Sequence, residues 1–197
     1  MMNSLTSNIT MFFTNYLPNT VGYSENTIKS YRDTFVLLFL YAEEEHLTKR
    51  RKISIELFRK DTIVAFLEWL EIKRGVSVST RNQRLAALKS FSRYMSLNTV
   101  EYLDTFQAVL DIPPKKGSSK TVDYLTVEAI TLLLREPDAS SYSGIRDLAI
   151  LSLLYESGCR VQELIDLKYG DLSLNSPATI SVTGKGNKTR IIPISNK

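Results

Sequence analysis

The stretch GCRVQELIDLKYGDL (158–172), followed by VTGKGNKTRIIPI (182–194), marks the place where a helical sequence gives way to strands. The first part predicts a short amphipathic helix that begins near Arg160. Two β-branched runs, 178–183 and 189–194, flank a glycine-rich turn and predict a β-hairpin. We therefore expect the last third of the chain to combine helix and strand.

Two further helices are predicted just before this stretch. Thr126 is a helix N-cap residue, and the helix that follows it should run to about Arg135. A strongly apolar helix over 144–157 should end at Gly158, because glycine tolerates the left-handed conformation of a C-terminal cap. Its apolar character predicts a central place in the core of its domain.

Residues 111–121, DIPPKKGSSKT, have the composition of a linker, because they combine prolines, a glycine, serines and lysines with almost nothing apolar. We place a first domain at 1–112, a linker at 113–122 and a second domain at 123–197. We expect each domain to have a hydrophobic core of its own.

The first domain has the pattern of a helical bundle. Apolar residues recur at three- and four-residue steps in a helix of about 24–45. A second helix should be capped by Asp61 and closed by Gly75, and a third should begin with a capping box at Thr80. A shorter helix over 100–110 completes the predicted bundle.

The composition of the 197 residues excludes several classes of protein. A single cysteine, Cys159, rules out an intrachain disulfide, and a single histidine, His46, cannot complete a zinc site of the cysteine and histidine type. The apolar runs are far shorter than the ~20 residues of a membrane span. We expect a cytoplasmic protein without a disulfide, a zinc site of this type or a membrane span.

The net charge of +4 lies in residues 1–118, which carry 16 basic and 12 acidic side chains, whereas residues 119–197 carry 9 of each. Between Glu71 and Glu101 every charged residue is basic, which is the pattern expected of a surface that contacts phosphates. A solvated helix face is the alternative explanation of such a run. The basic residues of this segment are Lys73, Arg74, Arg81, Arg84, Lys89 and Arg93.

The second domain offers two candidate phosphate-binding cations. Arg160 and Glu163 lie one helical turn apart, so the carboxylate can orient the guanidinium. Lys185 lies between two glycines at the tip of the hairpin, where it could donate a proton to a departing oxygen. An ordinary surface ion pair and an ordinary glycine turn remain the alternatives.

Three motifs in order make the chain similar to the tyrosine recombinases, also called the phage integrase family. They are LTVEAI (125–130), the Gly-x-Arg-x-x-Glu-Leu of 158–164 and the Gly-Lys-Gly of 184–186. The resemblance implies a mainly α fold: a helical, SAM-like core-binding domain precedes the first part of an α+β catalytic domain with a β-hairpin. The implied activity is site-specific DNA breakage and rejoining, for integration or excision of a mobile element.

The resemblance also implies roles for individual residues. Arg160 matches the arginine that binds the scissile phosphate, Glu163 matches the acidic residue that supports it, and Lys185 matches the hairpin lysine that protonates the departing 5′ hydroxyl. A tyrosine attacks the phosphodiester and forms a phosphotyrosyl link, with no metal or cofactor. We assign contact with double-stranded DNA to Lys29, Arg32, Thr80, Arg81, Arg84, Lys89, Arg93, Lys188 and Arg190.

The family also has a His-x-x-Arg segment and a nucleophilic tyrosine after the hairpin, and the sequence to Lys197 contains neither. Tyr169 is expected to pack, so it does not replace the nucleophile. We therefore expect a fragment that binds DNA without cutting it, from a protein that would act as a tetramer. A noncatalytic helical DNA-binding regulator and an inhibitory protein-interaction fragment are the alternative functions.

Overall fold

The computed structural model describes residues 5–45, 53–117, 123–184 and 186–194. The chain divides into two compact units, unit 1 (Met1–Lys120) and unit 2 (Thr121–Lys197). Unit 1 is helical, and unit 2 combines helices with a three-stranded antiparallel sheet, which confirms the predicted fold class. Within the described ranges, no helix is both long and apolar enough to cross a bilayer.

Unit 1 begins with a helical region that the sequence analysis did not predict. Helix α1 (Leu5–Met11) continues directly into a π-helical segment (Phe12–Val21) that contains Pro18. The π-helical segment contributes buried aromatic side chains to the core. The remaining helices of unit 1 are α2 (Glu25–Glu44), α3 (Lys60–Arg74), α4 (Val78–Asn98) and α5 (Leu103–Leu110), with a 3₁₀ turn at Ile55–Phe58 before α3.

Several helix ends lie where the sequence predicts them. The Ser24 hydroxyl accepts a hydrogen bond from the backbone N–H of Thr27 at 3.4 Å and so caps α2. Gly75 takes the left-handed conformation, with φ of 60°, and closes α3. The predicted α2 and the predicted end of α3 are thus confirmed.

Two predicted caps are wrong. Asp61 lies inside the first turn of α3, whose N-cap residue is Arg59 and has no side-chain cap. Thr80 lies inside α4, because Ser77 supplies the cap and its hydroxyl accepts the Thr80 N–H at 3.2 Å. Ser77 is an equally good capping residue three positions earlier, so the capping-box pattern alone places the start of α4 too late.

The core of unit 1 is built around one aromatic ring. Phe91 of α4 packs against Phe12, Phe35, Phe58 and Phe106, with ring centroids 5.1, 5.2, 5.1 and 5.9 Å away. These rings come from the π-helical segment, α2, the 3₁₀ turn and α5, and all are buried. A single side chain of α4 therefore joins four other elements of the unit.

The first part of the predicted linker is hydrogen-bonded to α4. The Asn82 side chain accepts the backbone N–H of Lys115 at 2.9 Å and donates to the Lys115 carbonyl at 2.8 Å. The Lys115 ammonium also donates to the Glu71 carboxylate at 2.8 Å. The composition of this segment predicts a linker, because composition contains no information about long-range contacts such as this one.

Unit 2 places its sheet after three helices. The predicted hairpin is confirmed, and Gly158 closes the apolar helix in the left-handed conformation. The sheet has a further short strand that the sequence analysis missed, since two residues are too few to produce an alternating pattern. The elements are α6 (Val127–Arg135), α7 (Tyr142–Ser157), α8 (Val161–Ile165), a 3₁₀ turn (Tyr169–Asp171), β1 (Leu172–Ser173), β2 (Thr179–Gly184) and β3 (Lys188–Pro193), in sheet order β1-β2-β3.

The core of unit 2 is small, and α7 is not central to it. Cys159, Ile180 and Val182 are its buried members. Gly144 is the buried residue of α7, and Leu154 packs against the core from a partly buried position, so the expectation of a buried central helix is wrong. Tyr169, expected to pack, is 90% exposed, because it begins a 3₁₀ turn at the surface. Apolar character alone thus overestimates burial in this unit.

Candidate functional site

The start of α8 holds an exposed arginine on a buried carboxylate. Arg160 is the extended N-cap residue of α8, and its backbone N–H donates to Glu163 Oε2 at 2.8 Å. Its Nη1 donates to Glu163 Oε1 at 2.7 Å. The Arg160 side chain is 71% exposed, whereas that of Glu163 is 5% exposed. The buried carboxylate therefore orients the guanidinium, as the spacing of the two residues predicts, and the guanidinium stays accessible to solvent.

The same carboxylate binds a second arginine, from strand β3. Arg190 Nη2 donates to Glu163 Oε2 at 2.7 Å, and Arg190 Nη1 donates to Glu163 Oε1 at 3.3 Å. This bidentate pairing uses the planar fork of the guanidinium. Arg190 was predicted to contact DNA; two of its N–H donors face a carboxylate of its own unit, and its side chain is 41% exposed. The alternation of side chains along β3 could not reveal this partner, which lies 27 residues away in sequence.

These contacts lower the pKa of Glu163. The hydrogen bond from Arg190 is the largest cause, followed by the backbone N–H of Arg160, and together they bring the pKa from 4.5 to about 2 despite opposing desolvation. The pKa of Arg190 is raised, mainly by its hydrogen bond to Glu163. Glu163 is therefore a carboxylate throughout the physiological pH range.

The hairpin turn between β2 and β3 has a left-handed backbone. Gly186 and Asn187 both have positive φ, of 80° and 58°, and the Asn187 N–H closes the turn on the Gly184 carbonyl at 3.1 Å. Lys185, the predicted proton donor, lies outside the described residues. His46 also lies outside the described residues.

A cavity of about 660 Å³ adjoins Glu163 on the side of α8 and β2. Its lining includes the carboxylates of Asp166 and Asp171 together with the ammonium of Lys168. An acidic lining repels a phosphate, so an anion would approach Arg160 from its exposed side. Across the described part of the chain, no group of histidine, cysteine, aspartate and glutamate residues could hold a metal ion.

Three of the basic residues assigned to DNA contact on α4 bind other parts of unit 1. Arg81 is buried, donates to Asn82 Oδ1 at 3.0 Å and lies 3.8 Å from Glu71. Arg84 donates to the Ser30 carbonyl at 2.8 Å. Lys89 donates to the Leu110 carbonyl at 2.6 Å, at the end of α5. A charge count could not separate these structural cations from surface ones.

The other assigned residues are more accessible. Lys29, Arg32 and Arg93 are exposed in unit 1, and the Arg32 guanidinium lies 5.9 Å from the centre of the Phe13 ring. Lys188 is exposed in unit 2. Thr80, which is half-buried, lies in the first turn of α4, where its hydroxyl is 3.1 Å from that of the capping serine.

Two family profiles match the chain, one in each unit. The profile of the phage integrase family matches residues 123–197, which include Arg160 and Glu163. The profile of the phage integrase N-terminal SAM-like domain matches residues 12–98, which form most of the helical bundle. The order of the two matches is the order of domains that the sequence motifs imply.

Curated relatives match across most of the chain. The protein y4rC of Sinorhizobium fredii is 38% identical over 190 residues, which cover 96% of this chain and 57% of that protein. Tyrosine recombinase XerC of Staphylococcus carnosus is 33% identical over 174 residues, which cover 88% of this chain and 55% of that protein. The chain thus spans a little over half the length of these relatives.

A solved structure shares the fold. The XerH site-specific recombinase, in a post-cleavage complex with its palindromic difH substrate, superposes with a TM-score of 0.65 at 22% identity, over 85% of this chain and 48% of that chain. The fold, the two profiles and the relatives agree with the motifs of the sequence. The chain belongs to the phage integrase family of tyrosine recombinases.

Proposed function

We propose that the chain serves in site-specific DNA breakage and rejoining through a phosphotyrosyl intermediate, and that Arg160 binds the scissile phosphate. The observation that carries this proposal is the exposed Arg160 guanidinium on the buried Glu163 carboxylate. An arginine fixed in this way presents its remaining donors to a phosphate with little loss of side-chain entropy on binding.

The proposed chemistry divides the work between three groups. Arg160 stabilises the charge that develops on the nonbridging oxygens, and Glu163 positions Arg160. When a tyrosine oxygen attacks the phosphorus, the bond to the 5′ oxygen breaks, and Lys185 supplies the proton that this oxygen takes up. We assign no nucleophile within residues 1–197, so the full reaction is proposed for the whole recombinase.

The proposed partner is double-stranded DNA, bound by a tetramer during recombination that integrates or excises a mobile element. In unit 1, the exposed cations Lys29, Arg32 and Arg93 are the proposed phosphate contacts. Lys188 is the proposed contact from the hairpin. The proposed location is the cytoplasm, where a DNA substrate would be found. The proposed chemistry needs no metal or cofactor.

The proposal predicts a specific change in salt-dependent DNA binding. Removing one cation that binds a phosphate should reduce the slope of log K against log salt concentration by about 0.9. We expect Arg160→Gln to weaken binding of the 197-residue chain to a duplex and to reduce the slope by about this amount, as measured by fluorescence anisotropy. Arg146→Gln is the matched control, because Arg146 is an exposed arginine of unit 2 that pairs with Asp147.

A noncatalytic DNA-binding regulator is the second candidate, favoured by the exposed cations of unit 1 alone. It predicts that Arg93→Gln weakens binding while Arg160→Gln has no more effect than Arg146→Gln. That result would contradict the assignment of Arg160. A binding constant that does not respond to salt would contradict both functions.

A further inference from the structure

The Glu163 carboxylate connects two parts of unit 2 that are distant in sequence. Its Oε2 accepts the Arg160 backbone N–H and Arg190 Nη2, and its Oε1 accepts the Nη1 atoms of both arginines. A carboxylate offers about four lone-pair positions, so these four donors fill it. The start of α8 and strand β3 are thereby fixed on one buried group.

Gly184 lets the hairpin backbone reach this carboxylate. A Cβ atom at Gly184 would lie 2.6 Å from Glu163 Oε1 and 3.4 Å from Arg190 Nη1, and Cβ contacts under 3.0 Å essentially do not occur. The φ of Gly184 is not positive, so the need for glycine here comes from space rather than from backbone conformation. The Glu163 carboxylate accepts four hydrogen bonds, so moving it away from an added Cβ atom would break or weaken some of them.

The strand register connects this carboxylate to the hairpin neck, which is the pair of residues Gly184 and Lys188 next to the turn. Gly184 is paired with Lys188, and Val182, two residues earlier, is paired with Arg190. Val182 is fully buried in the small core, so the hairpin has an apolar base below its polar attachment. The exposed Lys188 is therefore connected to Arg160 through Gly184 and Glu163.

We propose that Gly184 and Arg190 are positioning residues, which together seat the hairpin neck on Glu163 and hold Lys188 and Arg160 in one fixed arrangement toward a DNA phosphate. The proposal rests on the proposed function in that Arg160 and Lys188 both contact DNA. In this role Arg190 acts through Glu163 and not on the DNA.

The test is a double-mutant cycle of DNA binding by the full 197-residue chain. Two cations held in one arrangement act together, so the combined Arg160→Gln and Lys188→Gln variant should weaken binding about five- to tenfold less than the product of the two single effects. In a Gly184→Ala or Arg190→Gln background the two effects should multiply. Arg190→Lys should restore part of the coupling, because lysine keeps the charge but lacks the fork.

Matched controls separate positioning from a general loss of structure. Gly170→Ala is the control for Gly184→Ala, because a Cβ atom at Gly170 meets no atom within 4 Å. The coupling should survive Gly170→Ala unchanged. NMR signals of the Ile180 and Val182 methyl groups report whether the small core stays folded in each variant.

Each outcome has a defined meaning. Coupling that persists in folded Gly184→Ala and Arg190→Gln overturns the positioning roles, while the function assigned to Arg160 stands. No effect of Arg160→Gln in the unmodified chain overturns the proposed function itself. Loss of the core methyl signals in both backgrounds makes the two residues structural and also overturns the proposal.

Discussion

The two units of the chain differ in the interactions that stabilise each of them internally. Unit 1 buries phenylalanine rings from four other elements around Phe91, whereas the described part of unit 2 buries few apolar residues, namely Cys159, Ala178, Ile180 and Val182. Helix α6 buries no side chain, although it is apolar along much of its length. We infer that unit 1 is stabilised by apolar burial, while the described part of unit 2 depends more strongly on the ion pairs of Glu163.

The largest expected effect comes from removing the central ring of unit 1. Phe91→Ala should destabilise unit 1 by about 3–5 kcal/mol, because it removes buried surface and leaves a cavity between several elements. Trp69, the single tryptophan of the chain, lies buried in unit 1, so its fluorescence in urea reports this unit alone. Leu97→Ala is the control on the same helix, since Leu97 is 75% exposed. Equal losses of stability in the two variants would argue against the central role of Phe91.

An intermediate effect is expected in unit 2 at acid pH. The folded pKa of Glu163 is about 2 and its ordinary value is 4.5, so the stability that its carboxylate contributes is complete above 4.5 and is lost as pH falls toward 2. The hairpin amide signals in NMR should therefore weaken across this window. Glu163→Gln should remove the response, because a neutral amide does not titrate there.

The single cysteine supplies a second measurement of the same effect. Cys159 is buried in the core of unit 2, so its reaction rate with a thiol reagent reports the opening of this unit. Glu163→Gln should accelerate labelling at neutral pH. Asp147→Asn is the control, because it breaks an exposed ion pair of the same unit. Labelling at an unchanged rate in Glu163→Gln would contradict the role of the Glu163 ion pairs.

The smallest effects should come from two equivalent helix caps. The hydroxyls of Ser77 and Thr126 each accept the backbone N–H three residues later, at 3.2 Å in both cases. Ser77→Ala should destabilise unit 1 by about 1 kcal/mol, as measured by tryptophan fluorescence. Thr126→Ala should fray α6 with little effect on Cys159 labelling, because α6 buries no side chain. A larger effect from Thr126→Ala would mean that α6 supports the core of its unit.

Local signals in the sequence predicted much of the fold. Ser24, Gly75 and Gly158 act within one or two turns of their own helix, so their roles can be predicted from neighbouring residues. The π-helical segment at Phe12–Val21 was missed: Phe12, Phe13 and Leu17 have helical spacing, but Pro18 inside the segment is a helix-breaking signal. The burial of α7 was overestimated, because burial depends on neighbours that a helical pattern does not specify.

The candidate site divides in the same way. The pairing of Arg160 with Glu163 was predictable, since the two residues are one helical turn apart. The binding of Arg190 to the same carboxylate depends on the hairpin register and on the space at Gly184, and neither can be predicted from spacing. The inward hydrogen bonds of Arg84 and Lys89 likewise depend on tertiary packing.

The contact between Asn82 and Lys115 makes the length of the intervening chain matter. A carboxamide carries a donor and an acceptor side by side, so it recognises a peptide group whatever the side chain of that residue. An insertion of one residue upstream would bring Pro114 to the place of Lys115, and proline has no N–H for Asn82 to accept. Asn82 thus sets the number of residues that can lie between α4 and the peptide group it binds at Lys115.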